Sequence, residues 1–108
     1  MEKPYFVYLL RCMDDSLYTG ITTDVLRRVR EHRSGGTQGA KYTKTHRPRE
    51  LAAVWRVENR SAASKLEWRL KHLTKQQKEL LCKTPELLSE LLATEEAASA
   101  EPVKLLQR

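Results

Sequence analysis

Leu17-Tyr18-Thr19-Gly20-Ile21-Thr22, running straight into Thr23-Asp24-Val25-Leu26-Arg27-Arg28-Val29-Arg30-Glu31-His32, is the stretch on which the fold turns. Its first half is β-branched and aromatic, which suits a pleated strand. Its second half reads as a helix over residues 25–33. Thr22 or Thr23 is available as the cap, Asp24 sits in the first turn where negative charge is favoured, and Val25, Leu26 and Val29 fall on one face. Upstream, Tyr5-Phe6-Val7-Tyr8-Leu9-Leu10-Arg11-Cys12 reads as a second strand, and Met13-Asp14-Asp15-Ser16 as the polar turn between the two. A hairpin feeding a helix is therefore the first unit.

What this unit presents depends on register. If Asp14-Asp15 is a two-residue loop, Tyr8 pairs with Ile21 and the tyrosines at 8 and 18 face opposite ways. If Asp14-Asp15-Ser16 is a three-residue loop, Tyr8 pairs with Thr22 and Tyr18 with Cys12, and both rings share a face. The second register also gathers Val7, Leu9, Leu17 and Ile21 on the opposite, apolar face. It is preferred on that ground, although the residues leave both open. Gly20 lies on the Tyr18 face, where the missing side chain lets a backbone or ligand come close. Arg28 and His32 are neighbours at i and i+4, flanking the Val25/Val29 stripe and so near the hairpin.

Residues 34–46 are rich in glycine and basic residues without apolar periodicity and read as a mobile basic loop. Leu51 to Val57 reads as a third strand. Ser61 opens a helix carrying Ala62, Leu66, Leu70 and Leu73, and Thr74 with Gln77 resembles a capping box for the next. Thr84-Pro85 marks a further helix start. From Thr94 the text is rich in Ala, Glu and Ser and is expected to be frayed or disordered. The expected fold class is α+β, a small mixed three-stranded sheet in the order β-β-α-β-α-α, flanked by helices and followed by an extra C-terminal helix. A domain over residues 4–83 and an acidic tail over residues 84–108 are expected.

With 108 residues the chain suffices for one modest core. No run of 18 apolar residues exists. The first residues lack a secretory pattern, and Cys12 and Cys82 stand in no metal-type spacing, so a cytoplasmic location is expected. Charge is unevenly spread. The total is +6, residues 84–108 carry five acids against two bases, and residues 1–83 therefore hold +9. A basic body is the electrostatic footprint of a polyanion binder.

Taken singly, each of these residues has an ordinary structural role. In order, however, Phe6-Val7-Tyr8, Tyr18-Thr19-Gly20, Arg28-x-x-x-His32 and Glu67 resemble the GIY-YIG nuclease family. The run from Tyr18 to His32, with Gly39-Ala40-Lys41-Tyr42-Thr43, the Arg47-Pro48 pair and Ala63-Ser64-Lys65-Leu66-Glu67 running on to Lys71, looks like small stand-alone bacterial members of its YhbQ-like branch. The resemblance covers residues 4–83. It departs from the family in Phe6 and Val7, which replace Gly and Ile, in Thr19 for an aliphatic residue, and in lacking a late Asn after Glu67.

The resemblance implies phosphodiester hydrolysis in DNA, with structured or damaged DNA and a role in DNA repair in view, supported by one divalent ion, Mg²⁺ or Mn²⁺. The alternative is a nucleic-acid-binding module of the same fold that cuts poorly or not at all. Tyr8 would act as general base or orient the attacking water, and Tyr18 would support the nucleophile or contact the phosphate. Arg28 would stabilise developing charge, His32 would relay a proton, and Glu67 would hold the metal. Gly20, Arg27, Arg30, Lys41, Lys44 and Arg47 are the candidates for DNA contact. A free phenol titrates near 10, so Tyr8 as base requires a site that stabilises phenolate.

Overall fold

Strand β1 (Tyr5–Cys12) turns into β2 (Leu17–Thr22) through three residues, but not the three expected. Asp15 N–H donates to the Cys12 carbonyl and Cys12 N–H donates to the Ser16 carbonyl, both at 2.9 Å. The loop is thus Met13-Asp14-Asp15. Asp15 has φ of 67°, a left-handed conformation that Asp tolerates better than most residues. The Asp14 carboxylate accepts from the Ser16 N–H at 3.1 Å and its hydroxyl at 2.6 Å, which draws Ser16 out of the loop into the closing pair. Tyr8 consequently lies opposite Gly20 and Leu10 opposite Tyr18, correcting both registers considered above. The displacement from the preferred one is two residues, so both tyrosines still share a face.

The computed structural model describes residues 3–35 and 41–105. Helix α1 (Val25–Ser34) is capped by Asp24, whose carboxylate accepts from Arg27 N–H at 3.1 Å. Thr22 instead accepts from the Asp24 N–H at 3.1 Å, which positions the cap. Gly35, at φ of 65°, ends the helix in the left-handed region that glycine enters without cost. A short helix α2 (Lys41–Thr45) stands where a basic loop was expected. Residues 36–40 of that expected loop lie outside the described residues.

Strand β3 (Pro48–Val57) begins three residues earlier than expected and pairs antiparallel with β1. Helix α3 (Arg60–Lys71) is capped by Asn59, and α4 (Lys75–Lys83) opens with the Thr74–Gln77 capping box. A 3-10 turn at Pro85–Leu87 leads into α5 (Leu88–Leu91). Beyond Thr94, the stretch expected to fray instead forms α6 (Glu95–Ser99), capped by Thr94, and β4 (Glu101–Pro102). The class is α+β as expected, but the three strands become four, ordered β2-β1-β3-β4, and the mixed pairing becomes antiparallel throughout.

The strand period of two divides the side chains between two cores. Val7, Leu9, Ala53 and Trp55 point to the larger, where they meet Ala63, Leu66 and Leu70 of α3, Leu81 of α4, Leu88 and Ala97. The Trp55 indole donates to the Pro85 carbonyl at 3.0 Å, tying the chain after α4 to the sheet. Tyr8, Leu10 and Val54 point to the smaller, with Phe6, Tyr18 and Val25 packed against them. The candidate site grows out of this second face. Arg11 meets Glu79 with two hydrogen bonds of 2.6 and 2.8 Å, pinning α4 to the hairpin.

Candidate active site

Tyr8 occupies the middle of the central strand, with β2 on one side and β3 on the other. Gly20, directly across the ladder, makes room for its ring. A Cβ built on Gly20 would stand 2.6 Å from Tyr8 Cζ and closer still to the hydroxyl. The close approach expected at this glycine is therefore made by Tyr8 itself. Tyr18 follows on the same face, 6.2 Å from Tyr8 between ring centroids.

Helix α1 crosses this face with Arg28 and His32 turned toward the tyrosines. The Tyr8 hydroxyl lies 2.7 Å from His32 Nε2, and His32 Nδ1 lies 2.8 Å from Thr43 Oγ1 of α2. Arg28 hydrogen-bonds the same Tyr8 hydroxyl and pairs with Glu31 at 2.8 Å. The imidazole also sits edge-on to both tyrosine rings, at 5.9 and 5.2 Å. Four of the five residues singled out in the sequence are thus in mutual contact.

Their titration follows from burial. Tyr8 and His32 are each only 1% exposed. Burial, reinforced by Tyr18, pushes the Tyr8 phenol well above its ordinary range despite the opposing pull of Arg28. Burial and then the Arg28 charge push His32 down to about 4. At neutral pH the phenol therefore keeps its proton and the imidazole is uncharged. The guanidinium can only donate, so the Tyr8 oxygen accepts from Arg28 and its O–H donates to Nε2. That assignment leaves the imidazole proton on Nδ1, donated to the Thr43 hydroxyl.

Glu67, on α3, stands apart from this knot. Its carboxylate faces Lys71 at 3.4 Å and is 24% exposed, yet its charge reaches Tyr8 and contributes to that phenol's upward shift. Among the described residues no three His, Cys, Asp or Glu side chains converge as a metal cage. One partly exposed carboxylate near a phenol does fit a hard cation that keeps most of its waters, as Mg²⁺ does, and does not fit zinc.

Sequence reasoning gave no separate role to Tyr42 or Thr43 of α2. Tyr42 lies 5.5 Å from Tyr18 and stacks on His46 at 4.1 Å, while Thr43 is buried against His32. The only signal for them was the resemblance around Gly39 to Thr43, part of which lies outside the described residues. Arg27, Arg30, Lys41, Lys44 and Arg47 are all exposed, on α1, on α2 and just before β3. Arg27 also faces Glu31 at 3.8 Å.

The family model for the GIY-YIG catalytic domain matches residues 4–80. The chain belongs to the GIY-YIG family, a family of nucleases that are generally dependent on a divalent metal. It is similar to small stand-alone bacterial proteins of the UPF0213 group. It is 45% identical over 91 residues to UPF0213 protein YhbQ of Salmonella arizonae, covering 84% of this chain and 89% of that one. It is 43% identical over 96 residues to UPF0213 protein H16_B0156 of Cupriavidus necator, covering 89% and 96%. The solution NMR structure of UPF0213 protein BH0048 from Bacillus halodurans matches with 44% identity and a TM-score of 0.47, covering 74% of this chain and 83% of that one. No helix among the described residues is long and apolar enough to cross a membrane.

Proposed function

We propose that this chain is a cytoplasmic endonuclease that hydrolyses phosphodiester bonds in DNA, with structured or damaged DNA as the substrate class and one Mg²⁺ or Mn²⁺ held by Glu67. The observation that carries this reading is the Tyr8 hydroxyl held between the Arg28 guanidinium and His32 Nε2 at 2.7 Å. A phenol gripped in this way can take a proton from an attacking water while passing its own to the imidazole. Tyr8 then need never exist as a free phenolate. Thr43 holds the ring in the tautomer that leaves Nε2 open. Arg28, 23% exposed, stabilises the charge that develops as the bond breaks. Tyr18 orients the water or the scissile phosphate. The metal, when bound, neutralises phosphate charge and makes the water more acidic. The exposed Arg27, Arg30, Lys41, Lys44 and Arg47 track the backbone on either side, giving affinity without sequence readout.

A second reading, a binding module that cuts little or not at all, draws on the 1% exposure of Tyr8. One experiment separates the two. The protein is incubated with single-stranded, duplex and branched DNA and RNA, in Mg²⁺ or in EDTA, beside its Glu67→Ala and Tyr8→Phe variants. Metal-dependent cleavage lost in both variants supports the nuclease. Salt-dependent binding without cleavage supports the module, and cleavage undiminished in either variant defeats the mechanism.

A further inference from the structure

Trp68 is the outlier on α3. The helix turns Ala63, Leu66 and Leu70 into the core, whereas Trp68 and His72 lie on the opposite side, with the indole 57% exposed. A solitary exposed apolar residue is common, but this one is held in place. His72 stacks on it with centroids 4.0 Å apart and planes 30° from parallel, and His72 Nδ1 lies 2.7 Å from the Trp68 carbonyl. The Arg69 guanidinium stands 5.6 Å from the indole centroid. The result is an exposed aromatic surface, stacked and flanked by a cation before any ligand arrives.

Its surroundings are cationic. Lys65 and Arg69 are exposed on the same helix, and Lys71 lies one turn from Glu67. Where α3 gives way to α4, Lys78 feels both Lys75 and Lys71. After burial, these like charges are what lower its pKa. Lys71 faces Glu67 and Lys75 faces Glu79 at 3.1 Å, so the cationic border of the indole is set by Lys65 and Arg69. An exposed aromatic plane bordered by such charges matches a nucleic-acid strand, whose bases stack and whose phosphates follow the cations.

We propose that the Trp68–His72 stack is a base-stacking subsite for an unpaired nucleotide in the strand that passes Glu67. It rests on the nuclease reading and adds a substrate preference to it, because only a base freed from its duplex can lie flat on the indole. Glu67 and Trp68 are neighbours in the chain but turn roughly 100° apart around α3, so the subsite would engage a nucleotide flanking the one being cut. A duplex flanked by a single-stranded segment would thus be bound better than a continuous duplex.

The test uses intrinsic fluorescence in EDTA, with no cleavage. Trp55 is wholly buried, so emission changes on mixing report Trp68. Titration with oligodeoxythymidylate should quench the emission, and a blunt-ended, fully paired duplex with the same number of phosphates should not. Trp68→Ala should weaken single-strand binding by about tenfold, the loss of one stacked base, and leave duplex binding unchanged. Trp68→Phe should restore most of the affinity. Equal weakening for both ligands, or none, overturns the proposal while the nuclease reading stands. Failure of the unsubstituted protein to bind any nucleic acid removes both. Emission that depends on protein concentration without oligonucleotide, accompanied by an increase in mass, reassigns this face to a second copy of the chain and overturns it.

Discussion

Gly20 lies opposite Tyr8 in the β1–β2 ladder, and the Tyr8 ring occupies the space that any other residue at position 20 would fill. Gly20→Ala should force the phenol off His32 Nε2. The expected cost is about 1–3 kcal/mol of stability, as for other overpacked sites, with cleavage lost out of proportion. Urea unfolding and a cleavage assay on the same protein check it. An alanine variant of full stability and activity would show that Tyr8 can be seated elsewhere.

His32 makes stability depend on pH in mild acid. Its folded pKa, near 4, lies below the unfolded value of 6.5, so the unfolded chain binds more protons between these limits. The contribution is complete above 6.5 and is lost as pH falls toward 4, amounting to roughly 3 kcal/mol. Unfolding midpoints measured from pH 4 to 7 should rise steeply, and His32→Gln should flatten the slope in that window. Cleavage should fall lower, as pH drops through about 4, where Nε2 of the folded protein becomes protonated and no longer accepts from Tyr8.

Thr19 offers a gain. Its side chain points to the larger core opposite Leu9, and its hydroxyl is buried with no protein partner among the described residues. Thr19→Val keeps the shape and removes the unsatisfied group, so stability should rise by about 1 kcal/mol. A lower denaturation midpoint would mean the hydroxyl is satisfied after all.

Chelation should separate chemistry from folding. Because the described residues contain no multidentate metal cage, EDTA should abolish cleavage while leaving the thermal midpoint where it was. A large drop in midpoint would point to a structural ion.

The sequence made α1 and its two functional residues readable because one helix carries both, at a spacing that puts them side by side whatever the rest of the fold does. The pairing of Tyr8 with Gly20 was harder. It hinged on both Met13 entering the loop and Ser16 leaving it, the second of which the Asp14 carboxylate favours through contacts that no periodicity reveals. Thr43 was out of reach for a different reason. Its role exists only because α2 docks on α1, and five residues without apolar spacing look like loop. The fourth strand escaped notice because Glu101-Pro102 has poor strand propensity and is held by the edge of β3. Glu67 was assigned from resemblance, and the reach of its charge to Tyr8 follows from packing of α3 on the sheet rather than from any spacing.

That fourth strand also stops the sheet from growing. Val103 N–H donates inward to Val54 at 2.8 Å, and strand alternation turns the preceding backbone nitrogen outward. The preceding residue is Pro102, which has no hydrogen to offer. A neighbouring molecule seeking to extend the sheet along β4 meets a gap in the ladder at that position. Two residues of poor strand-forming text thereby cover Trp55 and Arg56 of β3, and a chain cut before Glu101 would present that part of the edge to every other copy in solution.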